Sequence, residues 1–134
     1  MKAVKITIGL FVGICSLLVM YIYISNTYVL PWEKKEAIKF TLEMGGLNEL
    51  PKEIHDLKID KKGSMFTRQF ILEFECENLK QIENWMRKSK RLKNNTPTIE
   101  NNRKIFKIYP GENGSNGGKV EIQGKKVKID MSWS

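Results

Sequence analysis

The chain has 134 residues, a formal net charge of +8 and two cysteines. Because an apolar N-terminal stretch leaves about 100 residues, the length excludes a second domain. The positive charge favours an acidic partner or an anionic membrane surface. Such a charge also suits nucleic acid, but it is spread along the chain, and the basic run from Arg87 to Lys93 lacks interleaved aromatic residues, which argues against that partner. Cys15 lies in the apolar stretch and Cys76 lies after it, so we expect no disulfide between them.

The apolar stretch, residues 6–24, carries no charged residue. As a helix it would span roughly 28 Å, close to the ~30 Å hydrocarbon core of a bilayer. It is longer than the apolar region of a cleaved signal peptide, and only Ser25-Asn26-Thr27 offers a poor cleavage site. Ile14 directly before Cys15 does not fit a lipoprotein, which needs a small residue there. A buried helix of a soluble fold would show a polar stripe, which this stretch lacks.

We therefore predict that residues 1–30 form a tail and an uncleaved single-pass anchor, with the lipid bilayer as the partner of residues 6–24. Residues 31–134 then form one domain. A short basic tail usually stays in the cytoplasm, so we expect the domain outside it, in the periplasm or at the cell surface. The flanking charges are Lys2 and Lys5 on one side and Glu33, Lys34, Lys35, Glu36 and Lys39 on the other.

The domain begins with a predicted helix that starts at Pro31. Its apolar positions follow a helical period to Met44, and Gly45-Gly46 supplies a left-handed C-cap. A short extended segment within residues 54–59 follows, and Asp60-Lys61-Lys62-Gly63 is predicted to be a hairpin connection.

The clearest strand covers residues 66–76, where apolar and polar residues alternate. Asn78 then caps a predicted helix, with Gln81 as its capping-box partner. Apolar residues recur at spacings of three and four as far as Leu92, so the helix should pack on the sheet with one stripe. Its end is crowded with cations, which the helix dipole favours there. These residues are Arg87, Lys88, Lys90, Arg91 and Lys93.

The C-terminal part alternates predicted loops and strands. Polar residues 94–102 indicate a loop, and a strand follows at residues 104–109. Gly111–Gly118 holds four glycines and no apolar residue, which predicts a flexible loop. Two strands joined at Gly124 complete the chain, at residues 119–123 and 125–133. The short connections predict an α+β fold, with a mainly antiparallel four- to five-stranded sheet packed by one or two helices.

Residues with catalytic chemistry do not form a coherent set. Gly117-Gly118-Lys119 lacks the Ser or Thr and the following helix of a phosphate-binding loop. His55 is the only histidine, which excludes a histidine-rich metal site. Cys76 falls on the apolar face of its strand, which predicts a buried, inert thiol. Glu73 and Glu75 point outward and do not amount to a carboxylate pair. We therefore predict no catalytic residue, no cofactor and no metal.

Two features are candidate interaction sites. Arg68 falls on the apolar face of its strand, where it either reaches solvent at the strand end or is a buried charge that needs an acidic partner or ligand. The basic run from Arg87 to Lys93 is either a solvated helix end or a contact for phosphates, lipid headgroups or an acidic protein.

Part of the chain resembles small uncharacterised bacterial proteins that are exported or membrane-anchored. The resemblance covers about residues 50–134 and implies a helix-on-sheet domain in the cell envelope, with no reaction. The residues that carry it are Gly63-Ser64-Met65-Phe66-Thr67-Arg68-Gln69-Phe70, Phe74-Glu75-Cys76, Leu79, Ile82, Trp85 and Val127 to Trp133.

These observations leave hypotheses of different classes. The first is a non-enzymatic, membrane-anchored domain that binds a protein or an envelope component outside the cytoplasm. A specific version is an immunity-type inhibitor that presents a basic face to an acidic toxin. The second is a small enzyme or ligand-binding domain that uses Arg68 with Cys76 or His55.

Overall fold

The computed structural model describes residues 1–64, 66–111 and 114–134. Helix α1 covers Lys2–Thr27 and contributes no buried residue. It is long and apolar enough to cross a membrane, by length and composition. Met65, within the segment that carries the resemblance, and Glu112 and Asn113, within the predicted glycine loop, lie outside the described residues.

Helix α2 covers Lys34–Gly45 and ends as predicted, but it begins three residues after the predicted start at Pro31, because Pro31 to Glu33 form a turn. Gly46 adopts a left-handed backbone conformation with φ +60°, which glycine reaches without steric cost. The amide of Leu47 then donates to the Leu42 carbonyl at 2.9 Å, so the last turn of the helix is satisfied.

The remaining elements form one sheet and one further helix. The sheet is antiparallel throughout its described pairs, in the order β1-β2-β6-β5-β4-β3. The elements in chain order are β1 (Ile54–Gly63), β2 (Arg68–Cys76), α3 (Leu79–Lys88), β3 (Thr98–Glu100), β4 (Arg103–Ile108), β5 (Ser115–Gln123) and β6 (Lys126–Trp133). The predicted α+β class is therefore confirmed, but six strands are present where four to five were predicted.

The two helices α2 and α3 cover one face of the sheet. On that face the paired strands line up apolar residues in rows, one of which runs through Leu72, Ile129, Val120 and Phe106. All four are buried. Trp85 of α3 packs edge-on against Phe74, with the ring centroids 5.7 Å apart. The other face carries most of the charged side chains of the strands.

The turn of the first hairpin lies further along the chain than predicted. Asp60 to Gly63 belong to β1, where Asp60 lies opposite Ile71 and Gly63 opposite Arg68. The turn is closed by a bond from the Ser64 amide to the Thr67 carbonyl at 2.8 Å. Lysines and an aspartate suit this position because β1 is an edge strand, and charges on an edge discourage pairing with other chains.

Strand β3 lies in a segment predicted to be a loop. It consists of three exposed residues, so no apolar pattern marks it. Asn101 and Asn102 have φ of +48° and +61° and connect it to β4 as a two-residue hairpin turn. Asparagine tolerates this left-handed conformation, and the Asn-Asn pair was the available signal for the hairpin.

Strand β5 begins within the predicted glycine loop. Ser115 to Gly118 pair with the end of β6, and the register shifts between Ser115 and Gly117. Gly117 has φ +88°, and a Cβ at Gly118 would collide with the Asp130 carbonyl. These glycines therefore serve a β-bulge and a close approach of two backbones.

Candidate functional site

A groove of about 470 Å³ lies between α3 and β4, next to the predicted basic run. Its apolar lining consists of Met86, Leu92, Pro97 and Phe106. Its polar lining consists of Glu83, Arg87, Lys93, Asn95 and Lys104. We call it the basic groove.

Helix α3 provides one wall of the basic groove. The predicted Asn78 cap is present, since the Gln81 amide donates to Asn78 Oδ1 at 3.0 Å. The return bond of the predicted capping box is shifted by one residue, because Gln81 Oε1 accepts from the amide of Glu77, the residue before the cap, at 3.1 Å. With the helix start fixed, Ile82 and Trp85 are buried against the sheet. The helical period then places Arg87 on the exposed side.

The segment after α3 folds back to form the floor. Ser89 is buried, and its hydroxyl donates to the Trp85 carbonyl at 2.8 Å and accepts from the Asn48 amide at 3.0 Å. The Ser89 carbonyl accepts from the amides of Leu92 and Lys93 at 3.0 and 3.1 Å. This turn buries Leu92 in the floor and leaves Lys93 exposed. The predicted stripe is thus confirmed only in part. Ile82, Trp85, Ser89 and Leu92 are buried, but Leu79 at its start is 56% exposed, and α3 itself ends at Lys88.

Strand β4 provides the opposite wall, which sequence reasoning missed. Lys104 and Phe106 share one face of β4 because side chains alternate along a strand. Phe106 is buried in the core, and Lys104, at the strand start, lies at the margin of that face and is exposed. The alternation was visible in the sequence, but the proximity of β4 to α3 depends on the sheet order.

The basic groove has an excess of positive charge. Its charged lining residues are Arg87, Lys93 and Lys104 against the single carboxylate of Glu83. Two other cavities carry equal numbers of acidic and basic lining residues. A basic rim around an apolar floor fits an acidic segment that also carries an apolar side chain.

The five cations of the predicted run separate into three groups. Arg87 and Lys93 line the basic groove, whereas Lys88 and Lys90 are exposed and are not among its lining residues. Arg91 belongs to the framework, because its guanidinium donates to the Tyr109 carbonyl at 2.7 Å and its amide donates to the Gly46 carbonyl at 3.2 Å.

Arg68 lies elsewhere, at the start of β2. It is exposed, which is the first of the two predicted alternatives. It lines a cavity of about 280 Å³ together with Glu33 and Glu36 at the start of α2. Aromatic residues form much of the cavity wall, namely Phe40, Phe70 and Trp133, which pack on one another.

A third cavity, of about 330 Å³, lies on the face of the sheet opposite the helices, and half of its charged lining residues form ion pairs. Glu121 is buried and accepts from Lys119 at 2.6 Å and from Arg103 at 3.3 Å. The hydrogen bond from Lys119 is the main cause that lowers the pKa of the Glu121 carboxyl below its ordinary value, and the same bond raises the pKa of Lys119. Glu73 pairs with Lys128 at 3.3 Å. We therefore interpret this cavity as part of the framework.

The residues of the enzymatic hypothesis are not brought together. Cys76 is 1% exposed, as predicted, and burial raises the pKa of its thiol. His55 lies opposite Glu75 and Ile54 opposite Cys76, so His55 and Cys76 are on opposite faces of the sheet. Arg68 is eight positions along β2 from Cys76, roughly 26 Å at ~3.3 Å per residue.

In the three described ranges of the chain, no group of three or more His, Cys, Asp or Glu side chains is placed to hold a metal ion. Comparisons of the chain with protein-family models, with curated proteins and with solved structures find no match.

Proposed function

We propose that this chain is a single-pass membrane protein whose domain binds an acidic protein partner in the basic groove, outside the cytoplasm. The observation that carries the membrane part is that no residue of the apolar span in α1 is buried. The core helix of a soluble protein would bury such a surface in its own fold. The eleven Leu, Ile, Val and Phe residues of residues 6–24 favour insertion by roughly 3–6 kcal/mol.

The serine and threonine hydroxyl groups of the apolar span are compatible with a bilayer. Thr7 donates to the Ala3 carbonyl and Ser16 to the Val12 carbonyl, each at 2.9 Å. Each hydroxyl therefore has a partner inside the helix, which removes most of the cost of placing it in hydrocarbon.

The proposal for the partner depends on the basic groove. Its rim combines Arg87 and Lys93 near the end of α3 with Lys104 of β4, over an apolar floor. Charge complementarity steers association and selects partners, and the apolar floor supplies affinity through burial. An immunity-type inhibitor is one specific form of this function, with a toxin as the acidic partner.

Membrane insertion and orientation are tested together in cells. We expect the full chain to stay in the membrane fraction after alkaline carbonate extraction. In a Cys15→Ala background, Lys125→Cys in the exposed β5–β6 turn should react with a membrane-impermeant maleimide in intact cells. Release by carbonate contradicts the anchor. Labelling only after permeabilisation contradicts the orientation.

The groove is tested by site-specific photocrosslinking in the same cells. A photoreactive amino acid at Met86, inside the basic groove, should give a crosslinked species whose mapped peptide is acidic. Triple charge reversal of Arg87, Lys93 and Lys104 to Glu should reduce the yield at least severalfold, because it replaces attraction with repulsion.

A matched control separates the groove from net charge. Reversal of Lys80, Lys88 and Lys90 to Glu changes the charge by the same amount at exposed positions that do not line the groove, so the yield should stay near the unmodified level. Equal loss in both triple variants, or a partner that is not acidic, contradicts the proposed site.

A further inference from the structure

The tip of the β1–β2 hairpin lies at the end of the domain from which α1 leaves. Lys61, near the end of β1, donates through Nζ to the Ser25 carbonyl in the last turns of α1, at 2.9 Å. Arg68, at the start of β2, lines a cavity with Val29 and Glu33 from the segment that joins α1 to α2. The residue of β1 that contacts α1 is only two positions before the end of the strand at Gly63, so the hairpin tip lies close in space to the end of α1.

This tip carries an unusually exposed aromatic residue between cations. Phe66 is 82% exposed, and its ring makes no aromatic contact in the described part of the chain. Lys62 and Arg68 flank the tip and are also exposed. An aromatic ring next to basic residues suits the boundary between lipid tails and anionic headgroups, where the ring meets hydrocarbon and the cations meet phosphate.

The segment between α1 and α2 has the same character. Trp32 is 70% exposed, Tyr28 is 60% exposed, and Lys34 and Lys35 are exposed beside them. The acidic residues of this region are Glu33, half-buried with its carboxylate 3.4 Å from the Leu30 amide, and Glu36, which is exposed. Aromatic residues and cations thus occur on both segments that meet at the end of α1.

We propose that the β1–β2 hairpin tip is a second contact with the bilayer, in addition to α1. Phe66 inserts at headgroup depth, and Lys62 and Arg68 bind the phosphates of anionic lipids. This inference rests on the proposed membrane anchor. Two separate contacts restrict the tilt of the domain and therefore fix its orientation on the membrane.

This orientation leaves the basic groove accessible. Lys104 of the groove lies in the same cross-strand row as Ile122, Val127 and Phe74. Phe74 is six positions along β2 from Arg68, roughly 20 Å at ~3.3 Å per residue. The groove is therefore at the end of the sheet away from the hairpin tip, where a partner can reach it.

The test measures depth in the bilayer at three sites of the full chain in nanodiscs. In a Cys15→Ala background, an environment-sensitive fluorophore is attached to Ser64→Cys at the tip, Val19→Cys in α1 or Lys125→Cys at the opposite end of the sheet. Quenchers carried by lipids report the depth of each fluorophore. We expect a quencher at shallow depth in the lipid to quench the fluorophore at Ser64 severalfold more strongly than the fluorophore at Lys125. A quencher deep in the bilayer should quench the fluorophore at Val19.

Substitutions at the tip identify the residues responsible. Phe66→Ser should lower quenching at Ser64 to the level at Lys125, and Phe66→Trp should retain it. Ile99→Ser, a matched loss of an exposed apolar residue on β3, should leave it unchanged. Adding phosphatidylglycerol to phosphatidylcholine discs should increase quenching at Ser64. The double variant with Lys62→Glu and Arg68→Glu should lose this increase.

The outcomes separate this inference from the anchor. Deep quenching at Val19 with no lipid quenching at Ser64 overturns the hairpin contact and leaves the anchor in place. Absence of quenching at Val19 overturns the anchor, and the hairpin contact fails with it.

Discussion

Arg91 joins three segments of the chain at the open edge of β4. Its aliphatic stem lies over Gly46, where a Cβ would collide with it, and its guanidinium lies beside Gly111. β3 pairs with β4 only as far as Ile105, and further along this edge the carbonyls of Lys107 and Tyr109 accept from Asn95 and Arg91 side chains. Side chains therefore cover backbone groups that would otherwise invite pairing with another strand.

Arg91→Ala should destabilise the fold by about 1.5–3 kcal/mol, because a charge-assisted hydrogen bond and the packing of the stem are both lost. Lys90→Ala should stay within about 0.5 kcal/mol, since Lys90 is exposed. Denaturant unfolding of the detergent-solubilised chain, followed by tryptophan fluorescence, measures both. Equal effects of the two substitutions would contradict the framework role of Arg91.

Glu121 makes the stability depend on pH. Its folded-state pKa lies below the ordinary value of 4.5, because Lys119 and Arg103 stabilise the carboxylate. At acid pH the unfolded chain therefore binds more protons, so this stabilisation is present above about pH 4.5 and is lost as the pH falls through the lower folded-state pKa. Glu121→Gln should flatten the dependence of the unfolding midpoint on pH in this range. The control substitution Glu83→Gln, at an exposed position, should retain the dependence of the unfolding midpoint on pH.

At the scale of elements, local signals explain the positions of α2, α3, β2 and β6. The Gly46 C-cap, the Asn78 cap and the alternating residues of β2 and β6 each act within a few positions along the chain. β3, the end of β1 and the start of β5 depend instead on pairing with another strand. A stretch without an apolar pattern becomes a strand when a neighbouring strand satisfies its backbone hydrogen bonds.

Gly118→Ala tests the start of β5. The added Cβ would collide with the Asp130 carbonyl of β6, so we expect destabilisation by about 1–3 kcal/mol or more. Gly13→Ala, where a Cβ meets nothing within 4 Å, should change stability little. The measurement is the thermal unfolding midpoint by circular dichroism. A flexible glycine loop would instead tolerate both substitutions equally.

At the scale of the whole molecule, α1 and the rest of the chain are separate in their packing. The buried residues of the core all lie between Leu30 and Met131, and α1 contributes none of them. Among the described residues, the hydrogen bond from Lys61 Nζ to the Ser25 carbonyl joins α1 to the sheet. The core is therefore formed without α1, and its first buried residue, Leu30, lies one position before the predicted domain of residues 31–134.

Removal of residues 2–27 should leave the domain folded. Because no buried residue is lost, we expect the unfolding midpoint to stay close to that of the full chain and the dispersed amide NMR spectrum of a folded domain. A collapsed spectrum, or loss of the cooperative transition, would contradict this separation and would assign α1 a structural role.

The sequence by itself determined the apolar helix, the α+β class, the helix caps, the buried thiol of Cys76 and the location of the basic run. Each follows from composition or from periodicity within one element. Only the tertiary structure decided that Lys104 joins Arg87 and Lys93 around an apolar floor, that Arg91 belongs to the framework, and that the β1–β2 hairpin contacts the end of α1 through Lys61. These placements depend on which strands become neighbours, and strand order is settled by burial across the whole sheet rather than by spacing along the chain.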